Sequence, residues 1–355
     1  MEISSTLINW YSQNKRDLPW RATSDPYIIW VSEVILQQTR VDQGMEYFNK
    51  FISMFPDVFS LAQASEQEVL KQWQGLGYYS RARNMHAAAK TIVEELQGIF
   101  PDKSEEMLKL KGIGPYTASA VASICFAEPI PVVDGNVMRV IARLFGITLA
   151  VNSSEGQKAI YKTCSLIIDR KHPGEFNQAI MEFGAIQCVP HKPACISCPL
   201  RYRCEAYRTG KVEDLPLKTK PAKPKTRYFN YLAVVHDDKD GDKVIYIKKR
   251  TGRDIWKGLY ELPLIEMATA SEPGELYGSQ EWKAIFRQKP LEIVEWSNEY
   301  KHQLSHQTIH ARFFYIRAEN PPQGSDSWQR VKFSRLHEFP IPRLIERYFK
   351  HQKIL

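Results

Sequence analysis

The sequence predicts a multidomain protein, an all-α domain followed by an α+β domain. Three observations carry that prediction. Before residue 207 apolar residues recur at three- and four-residue steps, the helical period; after residue 227 they alternate, the strand period. Between the halves the composition changes to TGKVEDLPLKTKPAKPKTR, which carries Pro216, Pro221 and Pro224. Four of the six cysteines lie between positions 188 and 204, closing the helical half. A chain of 355 residues has room for two or three domains at about 100–200 residues each.

The helical segments run over 1–14, 26–39, 66–73, 80–96, 104–110, 115–126, 137–146 and 155–170, with Gly and Pro between them. Asp25 can cap the second segment and Pro26 can start it. Gly112 and Gly114 permit positive φ and a close backbone approach, and Pro115 can open the next helix at its first position. Such a helix start aims free amides outward and can hold a phosphate; a plain turn is the alternative. In the second half, 228–236, 243–250 and 311–318 read as strands, with 237–242 as a hairpin loop. Segments 279–287 and 342–350 read as helices. The domain boundaries expected are 1–207, 208–227 for the linker, and 228–355.

The net charge of +8 is unevenly spread: zero over 1–207, +5 over 208–227 and +3 over 228–355. The basic segment is therefore read as an extended linker, suited to a polyanion partner or simply solvated. Hydrophobic residues at 43% and charged residues at 25% exclude a wholly disordered chain and a disulfide miniprotein. No apolar run approaches the ~18 residues that span a bilayer, so no membrane partner is expected. The N-terminus lacks a signal peptide's apolar core. A cytoplasmic, reducing location is expected, nucleoid-associated if the source is bacterial.

In such a compartment clustered cysteines imply a metal site. The spacing is Cys188-x6-Cys195-x2-Cys198-x5-Cys204. Structural zinc sites generally use two short-spaced pairs, and only Cys195/Cys198 is one. A cubane iron–sulfur cluster suits four ligands on longer loops. Cys125 and Cys164 lie in apolar helical patterns and read as buried thiols.

Two carboxylates have unusual settings. Glu33 is the only acid in a fourteen-residue apolar stretch beginning at Pro26. Desolvation raises a carboxyl's pKa, which a general acid requires; a surface glutamate on a polar face is the alternative. Asp134 precedes a helix, where it either caps the helix or stays ionised to stabilise positive charge on a sugar. Asn136 supports it or caps the helix itself. One acid of raised pKa beside an ionised one is the division of labour that cleaves glycosidic bonds.

The cysteine spacing, the hairpin Leu110-Lys111-Gly112-Ile113-Gly114-Pro115 and the Asp of Val133-Asp134-Gly135-Asn136 together resemble the endonuclease III, or helix–hairpin–helix, superfamily of DNA glycosylases. The resemblance implies a structural 4Fe–4S cluster on Cys188, Cys195, Cys198 and Cys204. It also implies DNA phosphate contacts at Gly112, Gly114, His191 and Lys192. Lyase members carry a Lys after the hairpin glycines; Tyr116 stands here and cannot form a Schiff base. Ser32-Glu33-x-x-Leu36-Gln37-Gln38-Thr39 and Arg16-Asp17-Leu18-Pro19-Trp20-Arg21 resemble the adenine DNA glycosylase branch, the MutY type, in essentially the whole chain. That branch removes adenine opposite 8-oxoguanine or guanine in duplex DNA, and a monomer is expected. The match makes Glu33 the acid that protonates adenine and Asp134 the stabiliser of the sugar cation. Tyr116 and Asn136 then line the site, Trp20, Arg21 and Gln178 line the adenine pocket, and Gln38, Leu76 and Tyr78 wedge beside the lesion.

The C-terminal half resembles a MutT/Nudix fold through Gly258-Leu259-Tyr260-Glu261-Leu262-Pro263. The acidic helix that would hold catalytic magnesium is absent from the sequence, so the domain reads as a recognition module. The branch's Phe-Ser-His lesion-reading turn is Leu304-Ser305-His306 here, with the aromatic replaced. Two other functions compete: a glycosylase/lyase, and a metal-stabilised protein that binds DNA without catalysis. The missing lysine counts against the first, and the paired acids count against the second.

Overall fold

The computed structural model describes residues 2–219, 223–286, 293–318 and 327–355. The chain forms two compact units. Met1–Gln63 with Asn84–Lys220 make the first, and Ala64–Arg83 with Pro221–Leu355 make the second. The expected boundaries at 207 and 228 differ from these in two ways. The excursion Ala64–Arg83 leaves the helical half, and the basic segment is divided rather than free.

The first unit is helical. Helices α1 (Ile3–Asn14), α2 (Pro26–Leu36), α3 (Val41–Met54) and α4 (Val58–Gln63) precede α5 (Glu66–Gln72), which lies in the excursion. Helix α6 (Ser80–Glu94) begins in one unit and ends in the other. Then follow α7 (Ser104–Met107), α8 (Pro115–Phe126), α9 (Gly135–Phe145), α10 (Ser154–Ile167), α11 (Pro173–Glu182) and α12 (Glu205–Arg208).

The caps set where the central helices start. Asp25 accepts from the Tyr27 amide at 2.8 Å, and Pro26 opens α2. Helix α2 is buried from Tyr27 to Ile35 save for Ile28, so it runs through the core. Helix α8 packs against both α2 and α11. Its buried stretch Thr117-Ala118-Ser119-Ala120-Val121-Ala122-Ser123 is mostly small, which allows close helix contact. Around α9 and α11 a core gathers Leu7, Val140, Ile141, Phe176, Ile180 and Phe183. Helices α3, α4, α11 and α12 lie outside the expected segments.

The linker expectation is corrected by the segment's contacts. Leu215 is buried and its carbonyl accepts from Arg143 Nε at 2.9 Å. The Val151 amide donates to Leu217 O at 2.9 Å, and Asn152 Nδ2 donates to Thr219 Oγ1 at 2.7 Å. Residues up to 219 are therefore tied to the helical unit, and a strand already begins at Lys225.

The second unit is built on a mixed sheet. Its strands are β1 (Lys225–Asp237), β2 (Lys243–Lys249), β3 (Tyr260–Glu261), β4 (Leu264–Met267), β5 (Ile293–Trp296), β6 (Tyr300–Gln303), β7 (Gln307–Arg317) and β8 (Gln329–Lys332). The order is β3-β2-β1-β7-β5, with β4 on β1, β6 on β7 and β8 on β2. Strands β1 and β7 are parallel; the other pairs are antiparallel. The 237–242 hairpin forms as expected, pairing Asp237 with Lys243. Helices α13 (Pro273–Gly278), α14 (Gln280–Ile285) and α15 (Arg343–His351) complete the unit. Residue 287, the end of one expected helix, lies outside the described residues. Tyr348 of α15 stacks on Phe313 of β7 at 4.0 Å between ring centroids.

Candidate active site

The candidate side chains of the helical unit sit in the middles of α2 and α11 and at the starts of α8 and α9. Glu33 sits in the middle of α2, 7% exposed. Its Oε2 accepts from the Tyr116 hydroxyl at 2.5 Å. Burial raises the Glu33 pKa to about 7; the Tyr116 bond pulls it down, Asp134 pushes it up and Arg21 pulls it down. Tyr116 is the second residue of α8, just after the hairpin. Burial and the neighbouring Glu33 and Asp134 hold its phenol well above its usual pKa, so it remains a donor.

Asp134 caps α9. Its Oδ1 accepts from the Val137 amide at 2.7 Å, and its Oδ2 accepts from Asn136 Nδ2 at 2.8 Å. Burial raises its pKa above the ordinary aspartate value, while these bonds and the Arg139 charge hold it down. Asp134 is thus the cap, and Asn136 supports its carboxylate rather than capping the helix itself. The loop before Asp134 is fixed by fully buried Asn177, whose Oδ1 accepts from the Val132 amide at 3.0 Å. Its Nδ2 donates to Ser123 Oγ and Ile130 O, each at 2.9 Å.

Both acids line a cavity of about 220 Å³. Trp20, Arg21, Gln178, Tyr116 and Asn136 line it as well. One deep acid shielded from water and one acid held by donors therefore face a common space large enough for a planar heterocycle.

Sequence reasoning missed Glu182, which organises one wall. It is 2% exposed and carries both Arg16 and Arg21. Arg16 donates through Nε and Nη2 at 2.8 and 2.7 Å, and Arg21 through Nη1 and Nη2 at 3.0 and 2.6 Å. Burial alone would raise the Glu182 pKa, but the bonds from Arg16 and Arg21 outweigh it and bring it to about 2. A signal was present: Glu182 is four residues past Gln178, hence on the same face of α11. Arg139 is a second omission. Its Nη2 donates to Asn136 Oδ1 at 2.9 Å and to Gly184 O at 2.7 Å, and its Nε to Cys188 O at 2.8 Å.

The four cysteines Cys188, Cys195, Cys198 and Cys204 line one apolar cavity with Val140, Leu144, Phe183 and Leu200. Among the described residues no three His, Cys, Asp or Glu side chains converge closely enough for a single ion. Buried Arg143 frames the loop, donating to Val189 O and Pro190 O at 2.7 Å and lying 3.5 Å from Cys188 Sγ. His191 and Lys192 are exposed. Glu213 faces both, 3.8 Å from His191 Nδ1 and accepting the Lys192 amide at 2.8 Å.

The hairpin glycines differ. Gly112 has φ +82°, and an added Cβ would lie 2.4 Å from Asn84 Cβ. Gly114 is the α8 cap at φ −93° and ψ 176°, ordinary extended backbone, and an added Cβ would meet nothing within 4 Å. The expectation of positive φ holds at the first and is corrected at the second. Gln38 is exposed, in the left-handed region at φ +60° just after α2.

Leu76, Tyr78, Ser305 and His306 belong to the second unit. Tyr78 is 43% exposed at φ +47°, in the turn between α5 and α6, and Leu76 beside it is half-buried. Ser305 and His306 are exposed in the β6–β7 turn, which the Leu304 amide closes onto Gln307 O at 2.8 Å. The Tyr78 hydroxyl donates to Ser305 Oγ at 3.2 Å. Glu261 is buried against Arg250 at 2.5 Å and Tyr231 at 3.3 Å, so its carboxylate is already committed.

Comparison with known proteins identifies the family of both halves of the chain. Residues 31–166 match the HhH-GPD superfamily of base excision DNA repair proteins, and residues 231–351 match the NUDIX domain. An adenine DNA glycosylase of Buchnera aphidicola (strain Bp) is 35% identical over 88% of this chain and 85% of its own length. One of Arabidopsis thaliana is 37% identical over 74% of this chain, a match that spans 47% of the plant protein. Among solved structures, a thermostable thymine-DNA glycosylase superposes with TM-score 0.54 at 29% identity, over 58% of this chain and 95% of that one. A trapped endonuclease III–DNA intermediate shares the fold at TM-score 0.51 and 22% identity, over 58% of this chain and 94% of that one. The chain belongs to the adenine DNA glycosylase family, base excision repair enzymes that act on DNA.

Proposed function

We propose that this chain is a monofunctional glycosylase that excises adenine opposite 8-oxoguanine or guanine from duplex DNA. The observation that carries the reading is the single cavity in which Glu33, near half-protonated at neutral pH, faces Asp134 among Trp20, Arg21 and Gln178. Glu33 donates its proton to the flipped adenine, which makes the base a neutral leaving group. Tyr116 holds that carboxyl in place. Asp134, oriented by Asn136 and the α9 amide, stabilises the oxocarbenium-like sugar until water adds. No lysine stands at 116 to form a Schiff base, so the product keeps an intact abasic strand.

The DNA contacts fall in both units. Gly112 and Gly114 bring the α8 amides to a phosphate, with His191 and Lys192 on the cluster loop. Gln38, Leu76 and Tyr78 enter the base stack, and Ser305 with His306 read the lesion. The adenine is the same opposite thymine or 8-oxoguanine, so discrimination must read the other strand. 8-Oxoguanine adds an N7–H donor and a C8 carbonyl acceptor, which a serine hydroxyl can match.

The four cysteines fit a 4Fe–4S cluster better than zinc. Only Cys195 and Cys198 form the short-spaced pair that structural zinc sites use twice, and all four side chains line one apolar cavity. The cluster would tie the loop to α9 and supply no step of base removal. We further place the enzyme in the cytoplasm, on DNA, as a monomer.

The test is a duplex with adenine opposite 8-oxoguanine, incubated with the holoprotein and analysed with and without hot alkali. Strand cleavage only after alkali supports the reading; cleavage without it indicates a lyase, and none at all indicates a binding protein.

A further inference from the structure

The adenine cavity has a polar wall whose orientation is fixed from behind. Gln178 lines the cavity from α11, and Tyr11 of α1 stands behind it, 4% exposed. The Tyr11 hydroxyl donates to Gln178 Oε1 at 2.7 Å. Among the described residues Gln178 Nε2 makes no hydrogen bond. Arg21, held by Glu182, lies 5.4 Å over the Tyr11 ring, so the phenol is clamped on its face as well.

A glutamine amide presents an acceptor at one end and donors at the other, and the two ends are nearly equal in size. Which end faces a cavity therefore decides which base edge is complementary. Left alone, the amide could turn over. A buried phenol O–H needs an acceptor, and Tyr11 finds it in Oε1. Turning the amide would aim Nε2–H at the phenol and leave its O–H unpaired. Burial raises the Tyr11 pKa; Arg21 lowers it, and Glu182 and Glu175 raise it, so the hydroxyl keeps its proton.

We propose that Tyr11 is a specificity-determining positioning residue: by donating to Gln178 Oε1 it fixes the amide so that an N–H is presented to the purine. Adenine offers an unprotonated N1 acceptor to that N–H. Hypoxanthine and guanine carry a proton on N1 and set donor against donor. This deepens the adenine reading and rests on it. Tyr11 touches no substrate; it acts through Gln178.

The experiment measures single-turnover excision from two duplexes, with adenine or hypoxanthine at the same position opposite 8-oxoguanine. The wild-type holoprotein removes adenine in strong preference. Tyr11→Phe keeps the ring and loses the hydroxyl, and the adenine-to-hypoxanthine rate ratio falls about tenfold or more, within the range that buried donor–acceptor mismatches command. In a Gln178→Ala background Tyr11→Phe leaves the ratio unchanged, because the amide it orients is gone. Equal loss on both bases in Tyr11→Phe, or the same ratio shift without Gln178, overturns the proposal. Gln178→Glu, with Tyr11 intact, covers the case in which Tyr11→Phe does not fold. Its carboxylate offers no N–H, so the preference moves toward hypoxanthine, and retention of the wild-type ratio overturns the proposal. Wild type that removes neither base defeats the adenine reading itself, whereas an active wild type with an unchanged ratio in Tyr11→Phe defeats only the role of Tyr11.

Discussion

The helical unit and the mixed-sheet unit present their candidate contact residues in opposite ways. In the first, Glu33, Tyr116, Asp134 and Gln178 stand inside a cavity, and each already has a hydrogen-bond partner from the protein. In the second, Tyr78, Ser305 and His306 stand on turns in open solvent, and their one shared contact is a 3.2 Å bond between two hydroxyls. Burial changes chemistry: it takes Glu33 to a pKa of about 7. Exposure leaves the groups accessible. A buried constellation suits bond breaking, which needs perturbed acids and excluded water. An exposed turn suits recognition of a surface that arrives from outside.

The largest effect that would break this contrast is at Glu33. Glu33→Gln keeps the shape and removes the acidic proton, so single-turnover excision should fall about 10²–10⁴-fold. Binding of the same duplex, measured by anisotropy, should stay near wild type. Turnover close to wild type would remove catalysis from the cavity.

Next in size is the turn. A Ser305→Ala/His306→Ala variant should lose selectivity rather than chemistry. Hydrogen bonds worth about 1–3 kcal/mol correspond to roughly 5–150-fold in the ratio of rates on A:8-oxoguanine and A:G duplexes. A ratio unchanged from wild type places lesion reading elsewhere in the chain. Leu304, half-buried beside them, cannot stack as an aromatic would.

A smaller effect comes from pH. The raised Glu33 pKa means that its acid form predominates below about 7 and is lost as pH rises through that value. Excision should then slow by up to about tenfold per pH unit above it. Glu33→Gln should show no such limb. A wild-type rate independent of pH between 6 and 9, an interval of about three units around the neutral range, would remove Glu33 from the acid role.

The same contrast explains what could be read in the sequence. Local signals served well where a helix begins: Asp25-Pro26, Gly114-Pro115 and Asp134 each cap the helix they promised. The isolated acid in an apolar stretch was legible because desolvation is a local consequence of its neighbours. Helix α3 was not legible. It has no side-chain cap, and Gly44 sits inside it, where an added Cβ would lie 2.6 Å from Leu36. That glycine serves close packing between helices, which no local pattern reveals. Nor did periodicity show that Ala64–Arg83 joins the second unit. There Gly258, at φ +87°, brings its backbone against Leu70 and Arg83, and Gln67 accepts from the Tyr260 hydroxyl at 3.1 Å. The basic segment looked like a spacer because its anchors, Leu215 and Thr219, depend on Arg143 and Asn152 far away in sequence. Glu182 escaped because its partners, Arg16 and Arg21, lie 166 and 161 residues earlier in the chain.

The smallest expected effect separates a residue shaped by its own fold from one shaped by what it meets, using the two hairpin glycines. Gly112 is constrained internally: its φ is +82° and Asn84 fills the space where a side chain would be. Gly112→Ala should cost roughly 1–2 kcal/mol for the left-handed conformation alone. The Asn84 contact adds to that, and the thermal midpoint should drop by several degrees. Gly114 is free of both constraints. Its missing side chain therefore has no internal reason, and the open space above it is where a DNA backbone would approach the amides at the start of α8. Gly114→Ala should leave the thermal midpoint within a degree or so, because surface changes of this kind stay within about ±0.5 kcal/mol. Its cost should appear instead as a several-fold weaker duplex affinity at low salt, with a shallower salt dependence, as expected when a phosphate contact is lost. Unchanged affinity in Gly114→Ala with a folded protein would leave the hairpin as a turn only, and DNA would have to be held by other groups of the chain.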